Sequence, residues 1–137
     1  MVDVLQSMVL TKEDKMVLTP TYHVFRMYNV HQDATFLPLD LKCEREIVRG
    51  DRIVPMVSAT ASRDANGVIH ISLSNVHLDE AQEIDINLEG LKVKNVTGEI
   101  LTSKNITDHN TFENPNVVAP KAFNGAKINK GALKVTL

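Results

Sequence analysis

The chain has 137 residues, 43% apolar and 23% charged, with a formal net charge of −2. That is globular composition for one domain, or one domain and part of another, and it excludes a disordered chain. The charges are interspersed, so no basic stripe offers itself to nucleic acid. No apolar run reaches the roughly 18 residues of a membrane-spanning helix. Cys43 is the single cysteine, which leaves neither an internal disulfide nor a thiolate metal cluster. Met1-Val2-Asp3-Val4 has no basic region ahead of it and is no signal peptide. The sequence opens inside an apolar pattern, which reads as a piece of a longer protein.

In chain order, the apolar spacing of Val2–Leu10 suits a helix face, although nine residues also fit a strand. Thr11–Lys15 is a polar turn, and Met16-Val17-Leu18 has the length of a buried strand. Thr19-Pro20 then starts a helix: threonine caps free amides and proline fits the first helical position. That helix is predicted from Thr21 to about Gln32, with Val24, Phe25, Tyr28 and His31 along one side. The first 33 residues therefore read helix, strand, helix.

After Asp33 the pattern becomes β. Leu37, Leu39 and Leu41 alternate with polar residues and proline, and Glu44–Asp51 reads as a charged connection. The clearest unit is a hairpin between Arg52 and Val76. Val57, Ala59 and Ala61 share one face of its first arm; Ile69, Ile71 and Leu73 share one face of its second. Asp64-Ala65-Asn66-Gly67 joins the arms, with Asn-Gly suited to the positive φ of a tight turn. Ile84, Ile86 and Leu88 mark another period-two strand. Short strands follow around Gly98, a brief one at Val117-Val118 inside the Asn-rich stretch 105–120, and a last one at Leu133–Leu137. Ile69, Ile71, Leu73, Ile84, Ile86, Leu88, Leu133 and Val135 are the predicted core. The fold class is mainly β, an antiparallel sandwich.

Chemistry is harder to find. Glycoside hydrolysis needs two carboxyls around one bond, one with a raised pKa. Glu83, Asp85 and Glu89 instead line the outward face of a strand, and Asp79 and Glu80 lie in a turn. The five histidines, 23, 31, 70, 77 and 109, lack metal-ligand spacing. His70 and His77 are near enough in the pattern to meet across strands, against the plainer reading of surface histidines. Asn95-Val96-Thr97 and Asn105-Ile106-Thr107 fit a glycosylation pattern that arises often by chance. No catalytic residue, metal ligand or cofactor site is assigned. A carbohydrate-binding sandwich would stack sugars on flat aromatic rings. There is no Trp, and only Phe36, Phe112 and Phe123 fall in the β part, where they read as core.

Two stretches carry a family resemblance. Val2-Asp3-Val4-Leu5-Gln6-Ser7-Met8-Val9-Leu10, followed by Lys15–Tyr28 with its Leu18-Thr19-Pro20-Thr21-Tyr22-His23-Val24-Phe25, resembles the end of the catalytic domain in family 51 α-L-arabinofuranosidases. Asn110-Thr111-Phe112-Glu113-Asn114-Pro115 with Val118-Ala119-Pro120, and Ile71–His77, resemble their C-terminal domain. The resemblance implies a jelly-roll-like β-sandwich at 34–137, preceded at 1–33 by a helix-strand-helix remnant of a (β/α)8 barrel. It implies a parent that removes terminal α-L-arabinofuranosyl groups from arabinan and arabinoxylan with retention. The family's acid/base and nucleophile Glu lie on earlier barrel strands, and no Glu here matches them. The family's last sandwich strand follows Leu137, which implies an open sheet edge here.

The chain is thus expected to be a non-catalytic accessory domain whose partner is the catalytic barrel of its own parent chain. Arabinose-containing polysaccharides are reached through that parent, in the periplasm or outside a bacterial cell. The competing readings are an autonomous sugar-binding module and a free-standing enzyme. Barrel pockets form at the C-terminal ends of strands, so Thr19, Thr21 and Tyr22 are candidates for the pocket rim of the intact enzyme. Their plainer reading is a helix cap and a packed aromatic. With its barrel face uncovered, the segment 1–33 is expected to fold back on the sandwich or to drive self-association.

Overall fold

The computed structural model describes residues 7–43, 46–91, 93–129 and 132–137. Among them the order is β1 (Val9–Lys12), β2 (Lys15–Leu18), α1 (Pro20–Tyr28), a 3₁₀ turn (Asn29–His31), β3 (Thr35–Phe36), β4 (Glu46–Arg49), β5 (Arg52–Pro55), β6 (Val57–Arg63) and β7 (Ile69–Asn75). Then come β8 (Glu83–Ile86), β9 (Glu99–Ile100), β10 (Lys121–Ala122), β11 (Ala126–Asn129) and β12 (Ala132–Thr136). All pairings are antiparallel. The mainly-β sandwich with a short helical element near the start is the fold found. The chain divides into two compact units, one of residues up to Asn29 with Gly98–Phe123, the other of Val30–Thr97 with Asn124–Leu137.

In the first unit, β1 and β2 form a hairpin with Lys12 opposite Lys15. The Glu13-Asp14 turn puts Glu13 at φ 54°, a conformation that glycine or asparagine usually supplies. The helix expected over Val2–Leu10 is corrected where it is described: Val9 and Leu10 are extended and paired, and residues 2–6 lie outside the described residues. The second helix is shorter than predicted, ending at Tyr28, with His31 in the 3₁₀ turn beyond it. Val17 and Val118 are buried here, while Val24, Phe25 and Tyr28 are exposed on α1. Val117-Val118 is irregular rather than a strand.

The second unit holds two three-stranded sheets, β3-β6-β7 and β11-β12-β8, and the ribbon β4-β5. The central hairpin brings together the two faces that alternation predicts, with Ala61 opposite Ile71 and Ala59 opposite Leu73. Its turn differs in detail: only Gly67, at φ 80°, is left-handed, and Asn66 is not. The Gly67 amide donates to Asp64 O, the Asp64 amide to Val68 O, and Asp64 Oδ1 accepts from the Asn66 and Val68 amides. This is a three-residue loop with its left-handed residue last. Leu133 and Val135 are buried, but Ile69, Ile71, Leu73, Ile84, Ile86 and Leu88 are only half-buried.

Other expectations are corrected. Leu37–Leu41 is not a strand; Pro38 lacks an amide donor, and pairing stops after Phe36 and the Leu37 amide bond to Ala61 O. Only Glu99–Ile100 is extended around Gly98. Glu44–Asp51, read as a charged connection, is extended over Glu46–Arg49, and Arg52–Pro55, read as part of the central hairpin, pairs with that strand across a turn at Gly50, φ 65°. Phe36 is 67% exposed, not core. β12 itself is the central strand of its sheet, between β11 and β8.

Candidate functional site

Two polar clusters stand out, one in each unit. In the first unit the cluster surrounds the junction of β2 and α1. Thr19 is the N-cap of α1: its Oγ1 accepts from the Tyr22 amide at 3.5 Å. The hydroxyl proton is directed at Ser7 O and Met8 O, 2.9 and 3.1 Å away, so the cap also ties the helix start to the chain entering β1. The sequence-predicted rim residue Thr19 is therefore committed to backbone groups. Thr21 and Tyr22 follow in the first turn and are half-buried. The Tyr22 ring meets His23 edge-on, centroids 5.5 Å apart. His23 is buried, and among the described residues neither of its ring nitrogens has a hydrogen-bond partner. Burial first, and the neighbouring Arg26 charge second, push its pKa below the ordinary histidine value.

Asn110 completes this cluster. It is buried, and its Nδ2 donates to Leu18 O at 2.8 Å and to Val118 O at 2.9 Å, while Oδ1 accepts from the Val118 amide at 2.7 Å. One side chain thus pins the Asn-rich stretch to the end of β2. The rest of the stretch is held similarly. Asp108 accepts from the Ser103 hydroxyl and from the Asn105 amide and side chain, which lowers its pKa in that order. The Thr111 amide donates to Asn114 O and the Asn114 amide to Thr111 Oγ1. Glu113 is pushed down by its own amide and the Thr111 hydroxyl, then by Lys12 and Lys15 of the hairpin turn. Sequence reading placed Asn110 in a familiar stretch without seeing its role; an Asn amid turn residues was the available signal.

In the second unit His31 bridges β6 and β7. Its Nδ1 lies 2.7 Å from Ser62 Oγ and its Nε2 2.8 Å from Ser72 Oγ. A neutral imidazole donates through one nitrogen and accepts through the other, so one serine accepts and the other donates. Burial, then His70, lowers the His31 pKa and favours that neutral form. This explains why Ser62, expected on the outward face of β6, is only 3% exposed. His70 meets Asp64 at 3.1 Å rather than His77; the His70 hydrogen bond is the first cause of a lowered Asp64 pKa. His77 Nδ1 instead accepts from the Asp79 and Glu80 amides.

Chemically these clusters serve the backbone. Asp64, Asp108 and Glu113 all have lowered pKa values, opposite to the direction a general acid needs. Among the described residues no three His, Cys, Asp or Glu side chains could hold a metal ion. Among them, too, no helix is long and apolar enough to cross a membrane.

Fold and clusters together define a β-sandwich domain whose polar side chains staple irregular segments to strands and a helix start. By comparison with known proteins, the chain belongs to the alpha-L-arabinofuranosidase C-terminal domain family, whose model matches residues 1–137. It is 65% identical over 136 residues to an intracellular exo-alpha-L-arabinofuranosidase of Bacteroides ovatus, covering 99% of this chain and 26% of that protein. The GH51 arabinofuranosidase from Xanthomonas axonopodis pv. citri matches with a TM-score of 0.92 at 44% identity, over 100% of this chain and 28% of that one. The thermostable GH51 α-L-arabinofuranosidase from Thermotoga petrophila RKU-1 matches with a TM-score of 0.80 at 25% identity, over 99% and 30% respectively. The chain spans less than a third of the length of each of these relatives.

Proposed function

We propose that this chain is the non-catalytic accessory domain of a family 51 α-L-arabinofuranosidase. In this reading the parent hydrolyses terminal α-L-arabinofuranosyl groups of arabinan and arabinoxylan with retention, using two carboxylates supplied outside this chain. Residues 1–33 are the tail of its (β/α)8 barrel and 34–137 the sandwich. The observation that carries the reading is the Asn110 clamp, which ties the 98–123 segment of the sandwich domain to Leu18, beside the helix cap Thr19. The accessory domain would then act by bracing the strand–helix junction of the barrel tail. Exposed Val24, Phe25 and Tyr28 are the side of α1 that the rest of the barrel would cover. Thr21 and Tyr22 would border the sugar pocket, with Thr19 as the cap that places them. For location, the intracellular name of the Bacteroides ovatus relative favours the cell interior over the periplasm or the outside.

The test uses the full-length parent. It should release 4-nitrophenol from 4-nitrophenyl α-L-arabinofuranoside, and the 137-residue chain alone should not. Release by this chain alone would overturn the reading. Tyr22→Phe in the parent should raise KM at constant stability if the residue borders the pocket; unchanged kinetics would remove it from the rim. The autonomous sugar-binding reading draws on exposed Phe36, one ring available for stacking. Millimolar arabino-oligosaccharides should leave the chain's nuclear magnetic resonance spectrum unchanged; shifts centred on Phe36 would favour that alternative.

A further inference from the structure

The chain contains two Asn-Gly pairs, Asn66-Gly67 and Asn124-Gly125. An asparagine before glycine can cyclise on its own backbone. Glycine has no Cβ to keep its nitrogen from the side-chain carbonyl, and it turns freely about φ and ψ. Both asparagines are exposed, so access to water does not tell them apart. Their backbones do. In the β6-β7 turn Asp64 holds three successive amides: Asn66 and Val68 donate to its Oδ1, each at 2.9 Å, and Gly67 donates to its carbonyl oxygen at 3.0 Å. Asn124 and Gly125 lie in the irregular stretch between β10 and β11. Among the described residues nothing accepts from either amide, and nothing pairs with the Asn124 side chain. Gly125 is held through its carbonyl, which accepts from the Thr136 amide at 3.0 Å, and not through its nitrogen.

We propose that Asn124 is a site of spontaneous modification, deamidation to aspartate and isoaspartate, while Asn66, with the same neighbour, is protected by its turn. The Gly125 nitrogen attacks Cγ, the side-chain carbonyl carbon of Asn124. A bond forms between them as the Gly125 amide gives up its proton, and the Cγ–Nδ2 bond breaks. Nδ2 leaves with that proton as ammonia, and a succinimide ring remains. Water then opens the ring at either carbonyl. Breaking the bond from Cγ to nitrogen gives aspartate in an ordinary chain. Breaking the bond from the main-chain carbonyl carbon to nitrogen gives isoaspartate, whose backbone runs through the former side chain. Nothing is oxidised or reduced, and water is the sole co-reactant. At Asn66 the attacking nitrogen is tied to Asp64 O and the flanking amides to Asp64 Oδ1, so the turn must open before Gly67 can reach Cγ. Either product sets a negative charge just ahead of β11. The isoaspartyl form also lengthens the backbone before the bond from the Thr136 amide to Gly125 O. The reaction does not depend on the activity of the parent.

The test uses the unmodified chain, incubated in mildly alkaline buffer both folded and in guanidinium chloride, then digested with trypsin. Cleavage after Lys121 and Lys127 yields a peptide in which Asn124 is the single asparagine, and fragment masses locate any acid formed at residue 66. Breaking an ordinary hydrogen bond slows a step by up to about tenfold, and three must open around Asn66, so Asn124 should deamidate at least about tenfold faster in the folded protein. In guanidinium chloride the turn is gone and the two rates should converge. Asn124→Gln, whose longer side chain must close a larger ring, should remove most of the isoaspartate that the folded chain accumulates. Equal rates at the two sites in the folded protein overturn the proposal, as does faster loss at Asn66. So does an Asn124 that stays intact in the folded chain while it reacts in guanidinium chloride, or an Asn124→Gln variant that forms as much isoaspartate as the unmodified chain.

Discussion

The β6-β7 hairpin and the segment 98–123 hold their chains in place by opposite means. The hairpin uses seven register pairs in an unbroken backbone ladder, closed by one Asp64-capped turn. The segment has only the two-residue strands β9 and β10 at its ends. Between them the backbone is held by side chains: Asn110, Asp108 and the Thr111–Asn114 turn. A ladder spreads its stability over many residues, whereas a staple concentrates it in one. The two regions should therefore differ sharply in their response to single substitutions.

Asn110→Ala is the change expected to cost most. It leaves the Val118 amide and carbonyl and the Leu18 carbonyl without this partner, around a buried position. Each unsatisfied buried group costs about 1–3 kcal/mol, so the loss should be on the order of 3–5 kcal/mol. Ser58→Ala, on the exposed side of β6, should stay within about 0.5 kcal/mol. Urea unfolding of both variants checks the contrast. Similar losses would mean that the staple is no more concentrated than the ladder.

Within the sandwich, burial should rank the apolar positions. Leu133 is 6% exposed at the centre of its sheet, and Leu133→Ala should cost about 2–5 kcal/mol. Ile71→Ala should cost less, because Ile71 is only half-buried. Equal unfolding midpoints for the two variants would refute that ranking.

The same contrast explains what could be read from the sequence. Ladders leave a period-two trace, so Ala61, Ile71, Ile84 and Val135 fell where the pattern put them. Alternation alone did not reveal how deeply each face is covered, and His31 lying over Ser62 and Ser72 accounts for part of that error. Hairpins were missed where the turn residues gave an unusual or unheeded signal. Glu13 takes a positive φ without being Gly or Asn, whereas Gly50-Asp51 was an ordinary hairpin turn hidden among charges. At the candidate site, Thr19-Pro20 was legible because caps have a local signature. The reach of Asn110 back to Leu18 was not, since a contact between residues so far apart in the chain leaves no spacing to detect.

Acid should expose the histidine contributions before those of the carboxylates. His23 and His31 have pKa values lowered from 6.5 in the folded chain. Above that value neither state is protonated there, and stability is flat. Below it the unfolded chain binds protons that the folded chain resists, so stability falls as pH drops toward the folded pKa values. The slope is at most about 1.4 kcal/mol per pH unit for each histidine. Asp64, Asp108 and Glu113 have lowered pKa values, so their contributions persist above the ordinary carboxylate range and are lost at more acid pH. His31→Gln, which retains a donor and an acceptor, should flatten the stability profile between pH 6.5 and the carboxylate range. An unchanged slope in that variant would show that His31 takes up its proton equally well in both states.

The smallest expected effect is at the most conspicuous ion pair. Arg26 on α1 lies 2.6 Å from Glu99 on β9, and the distance suggests an important link within the first unit. Both side chains are substantially exposed, 43% and 52%. Water screens their attraction, and two long side chains must be ordered to keep the contact. Pairs of this kind contribute about 0–1 kcal/mol. Glu99→Gln keeps an oxygen that can accept from the guanidinium, so it removes charge while preserving shape. Its effect should lie at the low end of that range and shrink further when salt is raised, as monitored by urea unfolding at two ionic strengths. A salt-independent loss as large as that of Asn110→Ala would mean that the first unit is held by this pair as firmly as by its buried staple.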